Sequence, residues 1–575
     1  MSDHERSPRR IAARASPAGG LAQALCAAAL LAAAVFLRCW KLGNLPGLNG
    51  DEAWGGIAAL RLVGGHAISL HTPSGNPINP FLVGPLAALH AVFPPSFVLL
   101  RSVAVLSGLA ALALNYVLCR RVFDRTTAVI STLLLAVLPV NIAYSRFAWD
   151  ASQTLLATLP VVYLPLAAFG SQAPRRQFWL LAMAAMAAAL LVHPTNVFAL
   201  PLLVVPAVAA RLQRASQADG SGRRLGVAAV LGAALLVLVA AVRSAPSIEA
   251  AASQLGEFVV LYVQLFSGTT IYRYISGAGI SAAHESVAGA WLDAGCVALA
   301  ALAAYGWLRS QRPPRATEDA ASDDEARPRS VDSALLVGWA ACTAGFWIVA
   351  GPKAMQPGLE RYAICLIAPG TVVVARGLAW WLGTRGPGRQ LASWTLLLAG
   401  WLTVAGFYVN YFQFIERTGG RAHRTFYTAG LEPKEQALRY VLEHADPAAR
   451  RIDIYTDDWW LRKPLEYLAY PNARVRMLRL SEIRAGEPAN GRGSAAANPA
   501  NPQSGRTAGD GETWFIEFAG RARQQEQAAA VATGQGNRLD RAARHGAVLQ
   551  TTLHDYAGEP VVSISSLPIQ SSQKN

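Results

Sequence analysis

The chain has 575 residues, of which 53% are hydrophobic and only 15% charged. A soluble chain of this length would divide into three or four domains, but repeated uncharged runs of Ala, Leu and Val exclude that organisation. The net charge of +15 does not point to nucleic acid, because the arginines sit between apolar runs, as orienting charges do in a polytopic membrane protein.

Residues 1–20 form a basic N-terminus with Arg6, Arg9, Arg10 and Arg14. The run 21–38 follows without a small-residue cleavage site before Arg38, so it reads as a retained first span. Further spans are expected at 98–118, 126–143, 151–169, 177–193, 195–210, 225–242, 289–308, 331–350, 362–380 and 391–409. That is eleven, or up to thirteen if the shorter apolar segments 78–93 and 253–267 also cross; otherwise these are interfacial or re-entrant. With the N-terminus in the cytoplasm, the inner loops collect Arg120, Arg121, Arg175, Arg176, Arg223, Arg224, Arg312 and Arg385, as the positive-inside rule requires. The loops 39–97, 144–150, 243–288 and 351–361 then all face outward.

The stretch "PGLNGDEAWGG" (46–56) places Asp51 and Glu52 side by side in the first outer loop. The pair is either solvated loop decoration or a working carboxylate pair, in which one member faces a cavity and suits a general base. The same loop continues into "LHTPSGNPINP" (70–80), with His71 and Asn79. In "NIAYSRFAWDASQT" (141–154), Arg146 and Asp150 lie four apart and would share a face if helical. They form either an interfacial ion pair or a polar floor, with Arg146 meeting phosphate and Asp150 placing an acceptor or a metal. His193 and Asn196 mark the outer turn "LVHPTN" (191–196). Arg273 sits between two tyrosines in "YRYISGAG" (272–279), and either touches a lipid headgroup or covers the cavity. In "GPKAMQPGLERYAICLIAPG" (351–370), Lys353, Arg361 and Tyr362 are either interfacial anchors or a phosphate clamp, for which a guanidinium supplies directed donors. No tight metal-ligand spacing and no phosphate-binding Gly-rich loop accompanies them. Asp51 or Asp150 is where a divalent cation, Mg or Mn, would be held if one takes part.

Beyond residue 409 the chain becomes water-compatible. A helix is expected at 434–445, and strands at 451–458, 475–480 and 513–519, in an α/β domain over 410–575. Residues 485–511 read as a Gly/Ala/Asn/Ser-rich insertion, and the last residues, "SSLPIQSSQKN", as a frayed end.

In "GDEAWGG", "YSRFAWD" and "LERYAICLIAP", taken in this order and on one side, the chain resembles the multi-pass glycosyltransferases that use polyprenyl-phosphate-linked sugars. It is most similar to the protein O-mannosyltransferases and lipid A aminoarabinose transferases, over about residues 20–410. The resemblance implies a GT-C-like membrane domain at 21–409, with an extracytoplasmic C-terminal domain, in a bacterial inner membrane. It implies an inverting transfer to an acceptor hydroxyl on a lipid, glycan or protein, with membrane lipid around it and no nucleic acid. Asp51 then matches the catalytic or acceptor-orienting acid and Glu52 its partner. Arg146 and Asp150 match the motif near the reaction centre, and Arg361 and Tyr362 the donor's phosphate side. One departure is that 71–80 lacks the lysine that precedes prolines in the aminoarabinose transferases, which leaves the clamp to Arg361, Lys353 or His71 and weakens a lipid A acceptor. The alternative function is a lipid or polysaccharide transporter or flippase; the scarcity of charges at mid-span and the lack of a convincing internal repeat speak against it.

Overall fold

The structure, a computed structural model, describes residues 17–170, 176–219, 248–276, 283–310, 323–383, 387–418, 433–456, 458–479, 511–520, 547–554 and 558–567. The chain starts with α1 (Pro17–Cys39), α2 (Gly50–Val63), α3 (Pro80–His90), α4 (Phe97–Val122), α5 (Arg125–Val137), α6 (Pro139–Tyr144), α7 (Asp150–Phe169), α8 (Arg176–Val192) and α9 (Pro201–Asp219). It continues with α10 (Ile248–Ser267), α11 (Ala283–Ser310), α12 (Asp323–Ala350), α13 (Ile367–Gly383) and α14 (Pro387–Phe407). Among the described residues, eight helical segments are long and apolar enough to cross a membrane: Gly20–Cys39, Phe97–Val122, Asp150–Phe169, Pro194–Leu212, Gly289–Ser310, Ser330–Ala350, Glu360–Gly383 and Gly388–Thr418. The protein is a polytopic α-helical membrane protein.

Two of the eleven expected spans differ, and a third is outside the described residues. The segment 126–143 is broken at Leu138, because Pro139 cannot donate into the preceding turn and restarts the helix as α6. The 13 residues of α5 reach about 20 Å, short of a hydrocarbon core of about 30 Å. The segment 177–193 is the shorter apolar helix α8, and 225–242 lies outside the described residues. The segment 78–93 contains α3, whose 11 residues are too few to cross, and 253–267 belongs to α10.

Helix starts follow local chemistry. Asn49 caps α2 in a reciprocal box with Glu52, while Asn79, Ser96 and Asp124 cap α3, α4 and α5. The main core runs through α1, α4–α7 and α12–α14, from Leu30 and Leu135 to Phe346, Leu366 and Phe407.

The C-terminal part contains α15 (Pro433–His444), β1 (Arg451–Tyr455), α16 (Trp459–Ala469), β2 (Val475–Leu478), β3 (Gly511–Phe518), β4 (Val548–His554) and β5 (Pro560–Ser566). The sheet order is β2-β1-β3-β5-β4; β1 is parallel to β2 and β3, and β5 is antiparallel to β3 and β4. The β1–α16–β2 connection is a parallel crossover, so α16 lies on a sheet face. Its other side meets α2: Tyr467 is buried in one cluster with Ala53, Ile57, Leu82 and Leu100. Strand β5 extends through Ser566, so Ser565 and Ser566, expected in a frayed end, pair instead with β3 and β4. Of the expected insertion at 485–511, Gly511 opens β3 and the rest lies outside the described residues.

Candidate active site

The acidic pair opens α2, and its two carboxylates diverge. Glu52 has no exposure. Its Oε1 accepts from Arg101 Nε at 3.0 Å and from the Ala148 backbone N–H at 2.9 Å. Its Oε2 accepts from Arg101 Nη2 at 2.9 Å and from Asn49 Nδ2 at 3.1 Å. Burial of a carboxylate is tolerable only with this degree of pairing. Glu52 thereby fixes the start of α2 against α4 and the 145–149 turn. Asp51 is half-buried and points elsewhere, its Oδ1 accepting from the indole Nε1 of Trp459 at 3.2 Å.

Arg146 is also an anchor. Fully buried, it donates from Nη1 to the carbonyls of Leu37 and Arg38, and from Nη2 to those of Trp40 and Leu45. Its guanidinium lies 4.7 Å from the Phe412 ring centroid. Burial lowers its pKa to about 10, which leaves it cationic at neutral pH. Arg101 adds bonds to the carbonyls of Leu42, Pro46 and Gly47. The two arginines thus satisfy carbonyls at the end of α1 and in the partly buried stretch 40–47 that follows it. Arg146 and Asp150 do not lie on one helix, because α6 stops at Tyr144 and a new helix starts at Asp150.

Asp150 is the first residue of α7, where the helix dipole favours a carboxylate. It lies within hydrogen-bonding reach of Asn79; Arg361 is its neighbouring positive charge and Asp51 its neighbouring like charge. Asn79, nearly fully buried, caps α3 and donates from Nδ2 to Gln153 Oε1 at 2.8 Å, one turn along α7.

Arg361 stands in the 3-10 turn Glu360–Leu366 that leads into α13. Its guanidinium carbon is 4.9 Å from the Trp149 ring centroid and 5.2 Å from that of Tyr362, and Nη2 donates to the Tyr362 hydroxyl at 3.3 Å. Among the described residues no carboxylate forms an ion pair with it. Trp149 is held in turn by Nε1 donating to Asn49 Oδ1 at 2.9 Å. The preceding Glu360, fully buried, accepts from the Tyr144 hydroxyl at 2.6 Å and from the Gly358 N–H. Burial, reinforced by Glu360, pushes the Tyr144 phenol well above its usual range, so it remains a donor. The His193 ring centroid is 5.4 Å from that of Tyr362. Burial and then Arg361 lower its pKa to about 4, so its imidazole is neutral at physiological pH. Its Nδ1 caps the turn Pro194–Ala199 by accepting from Thr195 N–H.

The remaining expected residues are less central. Asn196 is fully buried and bonds the Ala189 carbonyl. Arg273 is half-buried in the π-turn Tyr272–Ser276. Lys353 is exposed on the turn Pro352–Met355. His71 is exposed on a small paired loop, where Ile78 N–H donates to the Leu70 carbonyl. Among the described residues no three His, Cys, Asp or Glu side chains gather into a metal-ligand cluster, and no step below uses a metal. Arg101, Tyr144, Trp149, Glu360 and Trp459 were not among the expected site residues. A capping pattern, Asn49-x-x-Glu52, was the available signal for the anchor role of Glu52.

Residues 79–242 match the family model of the Dolichyl-phosphate-mannose-protein mannosyltransferases. The matched stretch contains Asn79, Arg146, Asp150, His193 and Asn196, and excludes Asp51 and Arg361. No curated protein matches the chain. Similar solved structures include the apo form of ArnT from Cupriavidus metallidurans, at 13% identity over 95% of this chain and 98% of that one, with a TM-score of 0.47. The same protein bound to undecaprenyl phosphate gives 14% identity, 96% and 98% coverage, and a TM-score of 0.46. The Archaeoglobus fulgidus oligosaccharyltransferase in complex with Zn and sulfate gives 16%, 79% and 62%, and 0.42.

Proposed function

We propose that this protein is a membrane glycosyltransferase that moves a sugar from a polyprenyl-phosphate donor to an acceptor hydroxyl on the outer face of a bacterial inner membrane. The observation that carries the reading is Arg361: a guanidinium laid on the Trp149 ring, without an ion-paired carboxylate among the described residues, whose charge is felt at Asp150. A cation kept in place by aromatic faces and one phenol is prepared for an external anion. The family match over 79–242 supports a lipid-phosphate sugar as that anion's source.

In this reading Asp51 takes the proton from the acceptor hydroxyl as its oxygen attacks the anomeric carbon. The bond from that carbon to the phosphate oxygen breaks, and the lipid phosphate leaves with the electron pair. Arg361 meets the growing charge on the phosphate, where a preorganised donor in a dry site is most effective. A single displacement inverts the configuration. Tyr144 and Glu360 hold the turn that carries Arg361, and Asp150 with Asn79 offers the polar floor for sugar or acceptor hydroxyls. His193 enters as a neutral cap, not as a cationic phosphate ligand.

The test is turnover of defined lipid-linked sugars by the purified protein. Asp51→Asn is expected to lower kcat by about 10²–10⁴-fold with donor binding retained. Wild-type turnover by folded Asp51→Asn would overturn the base assignment.

A further inference from the structure

Helix α16 reaches the acidic turn of α2 directly. Its cap is Asp458, whose Oδ1 accepts from the N–H groups of Trp460 and Leu461, and its first residue is Trp459. The Trp459 indole lies against Gly50: a Cβ added there would come within 2.4 Å of Cδ1, 2.5 Å of Nε1 and 2.7 Å of the Trp459 carbonyl oxygen. This approach therefore requires glycine at position 50. It delivers Nε1 to 3.2 Å from Asp51 Oδ1, across a sequence separation of 408. Lys463 Nζ sits 5.4 Å from the Trp459 ring centroid and pairs with Glu466 at 2.7 Å. At the other end of α16 the Tyr467 hydroxyl donates to the Ser96 carbonyl at 3.2 Å, close to His90 Nε2 at 3.3 Å. Both ends of the helix are thus fixed, one on α2 and the other on α3 and the turn that caps α4.

We infer that Trp459 is a positioning residue for the transfer: its indole N–H holds the Asp51 carboxylate in the orientation that meets the acceptor hydroxyl, so the C-terminal unit completes the site. This rests on the reading of Asp51 as the base. An indole N–H donates and never accepts, so it fixes the carboxylate without competing for the proton. The ring is rigid, with only two side-chain torsions, and its position is set by the glycine beneath it.

The experiment compares full-length Trp459→Phe and Gly50→Ala with wild type on the same lipid-linked sugar. Trp459→Phe keeps the ring and removes the donor, whereas Gly50→Ala displaces the ring from the other side. Both are expected to lower kcat about ten- to hundredfold, with KM for the donor unchanged. Both should also move the acid limb of the pH–rate profile upward, because a carboxylate that loses a donor binds its proton more tightly. A purely structural contact would lower the melting temperature and leave kcat and the acid limb in place. That result in a folded variant overturns the inference, as does failure of both variants to fold. If Asp51→Asn is inactive and Trp459→Phe behaves as wild type, only the inference fails. If Asp51→Asn is active, the base assignment fails first.

Discussion

Glu52 and Arg101 are both without exposure, and the guanidinium meets the carboxylate in a two-point pair at 2.9–3.0 Å. Such a pair contributes little net stability when replaced as a unit, but removal of one partner strands a buried charge. Arg101→Met is therefore expected to destabilise the protein by about 3–5 kcal/mol, and the double variant Glu52→Gln/Arg101→Met by clearly less. Thermal unfolding in detergent reads both; equal losses in the single and double variants would contradict the pairing account. At this scale the sequence carried half of the information. The pattern Asn49-x-x-Glu52 announces a helix start, and a helix start sends its second and third residues in different directions. It could not announce that the third residue would meet Arg101, 49 residues later, because that pairing is made by tertiary packing. The same limit hid Arg146: its spacing from Asp150 suggested a shared helical face, and the turn between them sends its guanidinium to four backbone carbonyls.

Two neighbouring glycines of α2 show how the seam with α16 is built. A Cβ at Gly56 would lie 2.5 Å from the Tyr467 ring and 3.1 Å from Leu100 Cδ1, whereas one at Gly55 would make an ordinary 3.6 Å contact with Leu82. Alanine gains about 1 kcal/mol in helix propensity at either position. At Gly56 that gain is outweighed, because the ring is held by its hydroxyl bond to Ser96 and has little room to shift, and overpacking costs about 1–3 kcal/mol or more. Gly56→Ala should lower the melting temperature, and Gly55→Ala should raise it or leave it unchanged; the reverse order would contradict the packing described here. The apolar runs, the strand β1 and helix α15 were legible from periodicity and composition. Helix α16 was not, because "WWLRKPLEYLA" carries an interior Pro464 that usually argues against a helix. Strand β4 was hidden because its side chains are largely exposed and show no regular alternation, and β5 because its last serines resemble a terminus.

Across the whole molecule, the helices bring turns that are far apart in sequence to one end: residues 49–52, 145–150, 193–196, 358–362 and 459. Charge patterning gave the side of the membrane on which these turns are expected, and motif order gave most of their residues. Which members anchor and which remain able to meet substrate depended on long-range contacts: Arg101 and Arg146 are used up by carboxylate and carbonyl oxygens, and Arg361 is laid on Trp149 and Tyr362. In the proposed function Arg361 receives the phosphate of a polyprenyl lipid. The most direct test is the affinity of the purified protein for polyprenyl phosphate, measured for wild type and Arg361→Ala at matched folding. Arg361→Ala is expected to lose about ten- to a hundredfold in affinity, as for removal of a charge-assisted contact; equal affinity in the two proteins would rule out this role for Arg361.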